Sequence, residues 1–132
     1  MEKAKQLSVT MENVPGQLER ICRVLAQTKV NIRGLSVADA TDLSTIRLLV
    51  SDPPAAEKAL KQAGLACSTQ EVLVLELDDK PGVLETVAAR LGAARVNIHY
   101  IYGSGDSGSS GKNKGILVLK ADDVDLARQT LA

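Results

Sequence analysis

Apolar and polar residues alternate over residues 6–12, where Leu7, Val9 and Met11 share one face, the period of a half-buried strand. Residues 13–16 (Asn-Val-Pro-Gly) turn the chain. Leu18, Ile21, Cys22 and Leu25 follow at three-four spacing, the single apolar stripe of an amphipathic helix. Residues 29–37 predict a second strand, residues 39–44 a turn and residues 45–50 a third strand. Asp52 ahead of Pro53 and Pro54 marks a helix start, and that helix runs through Lys61 and stops at Gly64. Residues 65–68 supply a short fourth strand. The order strand, helix, strand, strand, helix, strand predicts a ferredoxin-like α+β unit, two helices on one face of an antiparallel sheet.

The pattern then repeats. Asn13-Val14-Pro15-Gly16-Gln17-Leu18-Glu19, running on to Val30-Asn31-Ile32, returns without a gap as Asp79-Lys80-Pro81-Gly82-Val83-Leu84-Glu85, running on to Val96-Asn97-Ile98. A repeat of this length means two copies of one supersecondary unit, residues 1–69 and 70–132. In the second copy, Leu73, Leu75 and Leu77 share one face of a strand beginning at Val72. Leu84, Val87, Ala88 and Leu91 stripe its helix. Residues 96–102 and 116–119 follow as strands, and a helix opened by Asp122 and Asp123 ends the chain. No fourth strand remains for this copy: either the natural C-terminus is missing or a partner covers the strand left at the edge. The third strands, Leu48-Leu49-Val50 and Ile116-Leu117-Val118-Leu119, are apolar on both faces. A sheet with helices on one side should alternate there, so the second face is expected to be covered, by the sister domain or by another subunit.

Composition narrows the function. Halves of about 65 residues are only marginally stable alone, so the halves are expected to pack on each other or on a second chain. Sixteen basic residues balance sixteen acidic ones, which leaves no net charge to favour nucleic acid or an anionic membrane. Phe and Trp are absent, and the core falls to Leu, Val, Ile and Ala. The N-terminus resembles no signal peptide, and no apolar run approaches a membrane span. Cys22 and Cys67, isolated in apolar contexts, read as reduced thiols of a cytoplasmic protein.

The Pro-Gly turns are the leading chemical candidates. Pro15 and Pro81 suit a helix's first turn, and Gly16 and Gly82 let a backbone or a ligand approach. The turn also presents free helix N–H groups, which suit a carboxylate. Asn13 and Asp79 either cap the following helix or face a ligand's ammonium. Asn31 and Asn97 open the second strands, either as backbone caps or as a paired donor and acceptor for a zwitterion. A single such turn is explained as a good strand-to-helix connection; two, each followed by Val-Asn-Ile, favour a binding role.

The Pro-Gly-x-Leu turn, the striped helix and the Val-Asn-Ile strand, twice over, resemble the ACT domain, and the tandem resembles small stand-alone double-ACT proteins. The resemblance covers essentially the whole chain. It implies a non-catalytic regulatory protein binding an amino acid or other small effector between ACT units. Carried over by position, the ligand residues are Asn13, Val14, Pro15, Gly16, Gln17 and Leu18 with Asn31 and Ile32, and Asp79, Lys80, Pro81, Gly82, Val83 and Leu84 with Asn97 and Ile98. Asp79-Lys80 replaces Asn13-Val14, so the two loops differ in charge and need not share a ligand. A homodimer is expected, and an enzyme of amino-acid metabolism is a further possible partner. The alternative is an interaction subunit of such an enzyme, without a ligand of its own.

Other signals are weaker. Gly103-Ser104-Gly105-Asp106-Ser107-Gly108 spells G-x-G-x-x-G after a strand, but a strand follows it where a dinucleotide site needs a helix. Gly111-Lys112-Asn113 lacks the spacing and hydroxyl of a P-loop. Residues 103–115 read instead as a long hairpin loop. His99, the one histidine, reads as structural, with a ligand contact kept open by its place in the second strand. No second histidine, paired cysteines or carboxylate cluster accompanies it, so neither a metal nor another cofactor is expected. An RNA-binding sheet needs aromatics and basic patches that this chain lacks. No nucleophile–base pair supports an enzyme.

Overall fold

The computed structural model describes residues 1–104 and 114–132; of the hairpin loop read at residues 103–115, residues 105–113 lie outside the described residues, while 103–104 and 114–115 belong to strands. The elements are β1 (Glu2–Glu12), α1 (Gln17–Gln27), β2 (Ile32–Asp39), β3 (Leu43–Val50), α2 (Pro53–Gln62), β4 (Cys67–Asp78), α3 (Val83–Ala93), β5 (Ile98–Ser104), β6 (Lys114–Ala121) and α4 (Val124–Leu131). They form two compact units, one of residues 5–70 and one of residues 1–4 with 71–132.

In the first unit, β3 lies between β1 and β2 and is antiparallel to both, with Leu7 opposite Leu48 and Leu35 also opposite Leu48. The start of β4 flanks β1 on its other side. Leu7, Val9, Ile46 and Leu48 meet Ile21 and Leu25 of α1 and Ala56 and Leu60 of α2 in one core. The second unit repeats this. β6 lies between β4 and β5, and Leu73 stands opposite Leu119 as Leu7 stands opposite Leu48. Leu73, Leu75 and Leu119 pack with Val87 and Leu91 of α3 and with Val124 and Ala127 of α4.

The missing strand of the second unit is supplied by the chain itself. Residues 2–4, the start of β1, lie beside β4 in that unit. The Lys3 ammonium sits 2.8 Å from the Asp125 carboxylate of α4 and 3.6 Å from Glu71 of β4. Neither a lost C-terminus nor an external partner is needed to cover that side of β4. The sequence reading stopped β1 at Gln6 because Glu2-Lys3-Ala4-Lys5 carries no apolar alternation, and the strand instead continues for eleven residues. The short fourth strand read at residues 65–68 is likewise the opening of a twelve-residue β4. Removing residues 1–4 is expected to leave the β1-facing side of β4 unpaired from Glu71 onward, with β6 still paired on the other side from Leu73. Hydrogen exchange would then show lost protection at those amides of residues 71–75 that do not bond β6, with β3 amides unchanged.

In the third strands, Leu49 and Val118, which alternate with the helix-side core residues, are each 1% exposed.

Local chemistry sets the helix ends. The Asp52 carboxylate accepts the Ala55 N–H (3.2 Å) at the start of α2, and Asp123 accepts the Leu126 N–H (2.9 Å) at the start of α4. Asp52→Ala or Asp123→Ala is expected to cost about 1 kcal/mol, measurable by urea denaturation.

Candidate functional site

Each Pro-Gly turn joins the first strand of its unit to the first helix. Gly16 and Gly82 both sit at φ 89°, the left-handed region, as the residues preceding α1 and α3. A β-carbon on either would meet nothing within 4 Å, so it is the backbone angle and not space that selects glycine. Asn13 and Asp79 do not cap these helices: neither helix start receives a side-chain hydrogen bond. The capping reading of the two residues is thereby corrected: the cap position of each helix is held by the glycine, three residues further on. In α3 the first helical bond runs from the Thr86 N–H to the Gly82 carbonyl (3.1 Å). The N–H groups of Leu84 and Glu85, ahead of it, have no acceptor within the helix.

In the second unit the turn borders a cavity of about 290 Å³. Asp78, Asp79, Lys80, Val83 and Leu84 line it from the turn and α3. Leu77 of β4, Gly103 and Ser104 of β5, and Gly115 and Leu117 of β6 complete it. Leu84, read as the first position of the α3 stripe, is 52% exposed and serves this wall instead of the core. Leu18, its counterpart in α1, is also exposed.

Charge around the cavity is arranged in pairs. The Lys114 ammonium lies 2.6 Å from the Asp78 carboxylate, and Lys80 lies 4.0 Å from it. The hydrogen bond and charge of Lys114 hold the Asp78 carboxyl below the ordinary aspartate range, and Asp78 in turn raises Lys114. A depressed carboxylate pKa contributes stability that is present above its unfolded value and lost as the pH falls through the folded one. Lys114→Met is expected to raise Asp78 toward the ordinary range, with Lys80 still lowering it from 4.0 Å, read by NMR titration of its side-chain carboxyl.

Several site residues read from the sequence are not gathered here. Asn31 and Asn97 precede β2 and β5 at the end of the sheet opposite the turn of their own unit. The Asn13 N–H bonds the Asp42 carbonyl near the start of β3, whereas Asn31 exchanges bonds with Ser51 just beyond its end. At about 3.3 Å per residue, the eight residues of β2 put roughly 25 Å between Asn31 and the turn. Asn97 pairs with Asp122 in the same way: its N–H donates to the Asp122 carboxylate (3.1 Å) and its carbonyl accepts the Asp122 N–H. The backbones of both asparagines are thus fixed as caps. Ile32 and Ile98 are half-buried and pack on their helix-side cores. His99 follows Ile98 at that same far end, away from the cavity.

Sequence reasoning passed over Leu77, Asp78, Gly103, Ser104, Gly115 and Leu117. The signal was present in Gly103 and Gly115, glycines flanking the hairpin where the first copy has Val37 and Ser44 in register. They were absorbed into the loop reading. Among the described residues no His, Cys, Asp and Glu side chains gather in a group able to hold a metal, and no helix is long and apolar enough to cross a membrane.

Two ferredoxin-like units, the second completed by the start of β1, each with a left-handed glycine turn opening its first helix, define a duplicated ferredoxin-like protein. The chain belongs to the ACT domain pair family, whose model matches residues 2–132. No curated protein matches it. Among solved structures it is similar to protein BT0572 from Bacteroides thetaiotaomicron, at 32% identity over 98% of this chain and 86% of that one, with a TM-score of 0.90. It shares its fold with the regulatory subunit of aspartate kinase from Thermus thermophilus, at 13% identity over 99% of this chain and 95% of that one, TM-score 0.69. The corresponding subunit from Thermus flavus, at 12% identity over 99% and 91% of the two chains, gives a TM-score of 0.66.

Proposed function

We propose that this ACT domain pair is a non-catalytic regulatory protein whose effector is an amino acid held against a Pro-Gly turn. The observation that carries this reading is the cavity at the second turn. There Asp79, Lys80 and the first residues of α3, Val83 and Leu84, line one cavity with Leu77 and Leu117, so an acid, a base and the helix N-terminus border an apolar wall. A zwitterion with a modest side chain needs those three kinds of neighbour. The volume of about 290 Å³ lies just under the span of small-molecule sites, about 300 to 1,000 Å³, which suits a ligand no larger than a small amino acid. Family membership and the shared fold with aspartate kinase regulatory subunits support a regulatory role.

A homodimer fits the reading. Edge strand β2 exposes Leu35 and Val37 on its helix side, and Val14 and Leu18 are exposed near the first turn. Antiparallel pairing of β2 with its copy in a second chain would set the start of one strand beside the end of the other. Asn31 and Ile32 of one chain would then approach the turn, residues 13–18, of the next. Asn97 and Ile98 bear the same relation to residues 79–84. The same exposed apolar edge favours a second reading, an interaction subunit of an amino-acid-metabolism enzyme that carries no ligand itself.

Thermal unfolding against each of the twenty amino acids at millimolar concentration separates the two. An amino acid that binds only the folded protein stabilises it by about 2.7 kcal/mol at a hundredfold excess over its dissociation constant. A selective rise in the midpoint is expected. A flat response to all twenty would remove the sensor reading and leave the interaction subunit.

A further inference from the structure

The two Pro-Gly turns share a backbone and differ in what surrounds it. Lys80 stands in the place of Val14 and Asp79 in the place of Asn13. Gly103 stands opposite Leu117 as Val37 stands opposite Ile46, and Gly115 opposite Leu77 as Ser44 stands opposite Met11. The first unit therefore carries side chains at two wall positions where the second carries none, and a valine at the turn where the second carries a cation. Val14 and Val37 are about half exposed, at 48% and 51%, and give the first turn apolar shoulders without charge.

Around the second turn the balance of charge is informative. Asp78 is matched by Lys114 at 2.6 Å, while Lys80 approaches Asp78 only to 4.0 Å. Asp79 and Lys80 thus offer one acid and one base, with no surplus of either sign. A ligand bearing one ammonium and one carboxylate satisfies both, whereas a third charge on its side chain would face Leu77, Val83, Leu84 and Leu117 and lose its hydration there.

Resting on the regulatory reading above, we infer that the second turn alone is the effector site and that its ligand is a neutral amino acid with a small side chain. Asp79 takes the α-ammonium, and Lys80 with the open N–H groups of α3 takes the α-carboxylate. The first turn binds no effector.

Isothermal titration of the full chain with glycine, alanine, serine and valine tests this, with aspartate, lysine, alaninamide and N-acetylalanine as comparisons. The expected result is one ligand per chain for at least one of the small amino acids. At least tenfold weaker binding is expected for the charged and the blocked compounds. Importing the first turn's residues, Asp79→Asn with Lys80→Val, is expected to weaken binding at least tenfold with the circular dichroism unchanged. The reciprocal change, Asn13→Asp with Val14→Lys, is expected to leave it within twofold. Two ligands per chain, weakening by the first-turn change alone, or tighter binding of aspartate or lysine would overturn the inference while leaving the regulatory reading intact. Absence of binding by every amino acid would overturn both.

Discussion

Leu7→Ala and Leu73→Ala are each expected to destabilise the protein by about 2–5 kcal/mol, the cost of a leucine-sized cavity in a packed core. The two residues hold equivalent places, each fully buried on the helix side of the first strand of its unit. Leu7 is opposite Leu48 and shares one core with Ile21 and Leu60; Leu73 is opposite Leu119 and shares one core with Leu91 and Ala127. Since folded domains are stable by only about 5–15 kcal/mol, either change removes a large share of the total. Leu→Met at the same positions keeps the volume and is expected to cost under about 1.5 kcal/mol. Chemical denaturation of the four variants checks the pattern, and a pair of alanine variants within about 0.5 kcal/mol of wild type would contradict the duplicated core.

Gly103→Ala is the second substitution with a large expected effect, and it acts through the wall of the cavity. A β-carbon at Gly103 would lie 2.3 Å from the Ile116 carbonyl oxygen and 2.5 Å from the Leu117 side chain. Leu117 can swing aside; the carbonyl is backbone of β6 and cannot move without disturbing the β5–β6 ladder. Overpacking of this kind costs about 1–3 kcal/mol, and it narrows the space between the hairpin and α3. Both lower stability and weaker amino-acid binding are therefore expected, from thermal unfolding with and without ligand. Gly92→Ala, a change on α3 where a β-carbon meets nothing within 4 Å, is the control and is expected to leave binding unchanged.

The helices and the core-facing strands were legible in the sequence because each is an amphipathic pattern closed by local signals. Asp52 with two prolines announced α2, and the alternation of Leu73, Leu75 and Leu77 announced the strand that carries the second core. What escaped has a physical reason in each case. The start of β1 is a strand made by pairing with β4, and its Glu-Lys-Ala-Lys spelling follows the needs of an exposed edge. Lys29 and Arg95 close α1 and α3 in the left-handed region, at φ 60° and 59°, without the glycine that would have marked those ends. The N–H groups of Val30 and Val96 reach back to the carbonyls of Leu25 and Leu91 (2.9 Å each) and secure the turn.

The candidate site was half legible. The Pro-Gly turns stood out by repetition, and the structure puts the second of them at a cavity. Asn31 and Asn97 also stood out by repetition; within one unit each lies at the far end from the turn, where its backbone exchanges bonds with Ser51 or Asp122. The hairpin glycines were read as loop and not as cavity wall for the opposite reason. Gly103 and Gly115 occur in one copy only, so the comparison that revealed the turns could not reveal them.

The most direct test of the account is a ¹⁵N NMR titration of the full chain with the amino acid that raises its unfolding temperature. The amides of Gly82, Val83, Leu84, Glu85, Gly103 and Gly115 are expected to shift together and to saturate at one affinity, with those of residues 16–19 still. Shifts centred on residues 13–19, or away from either Pro-Gly turn, would contradict it.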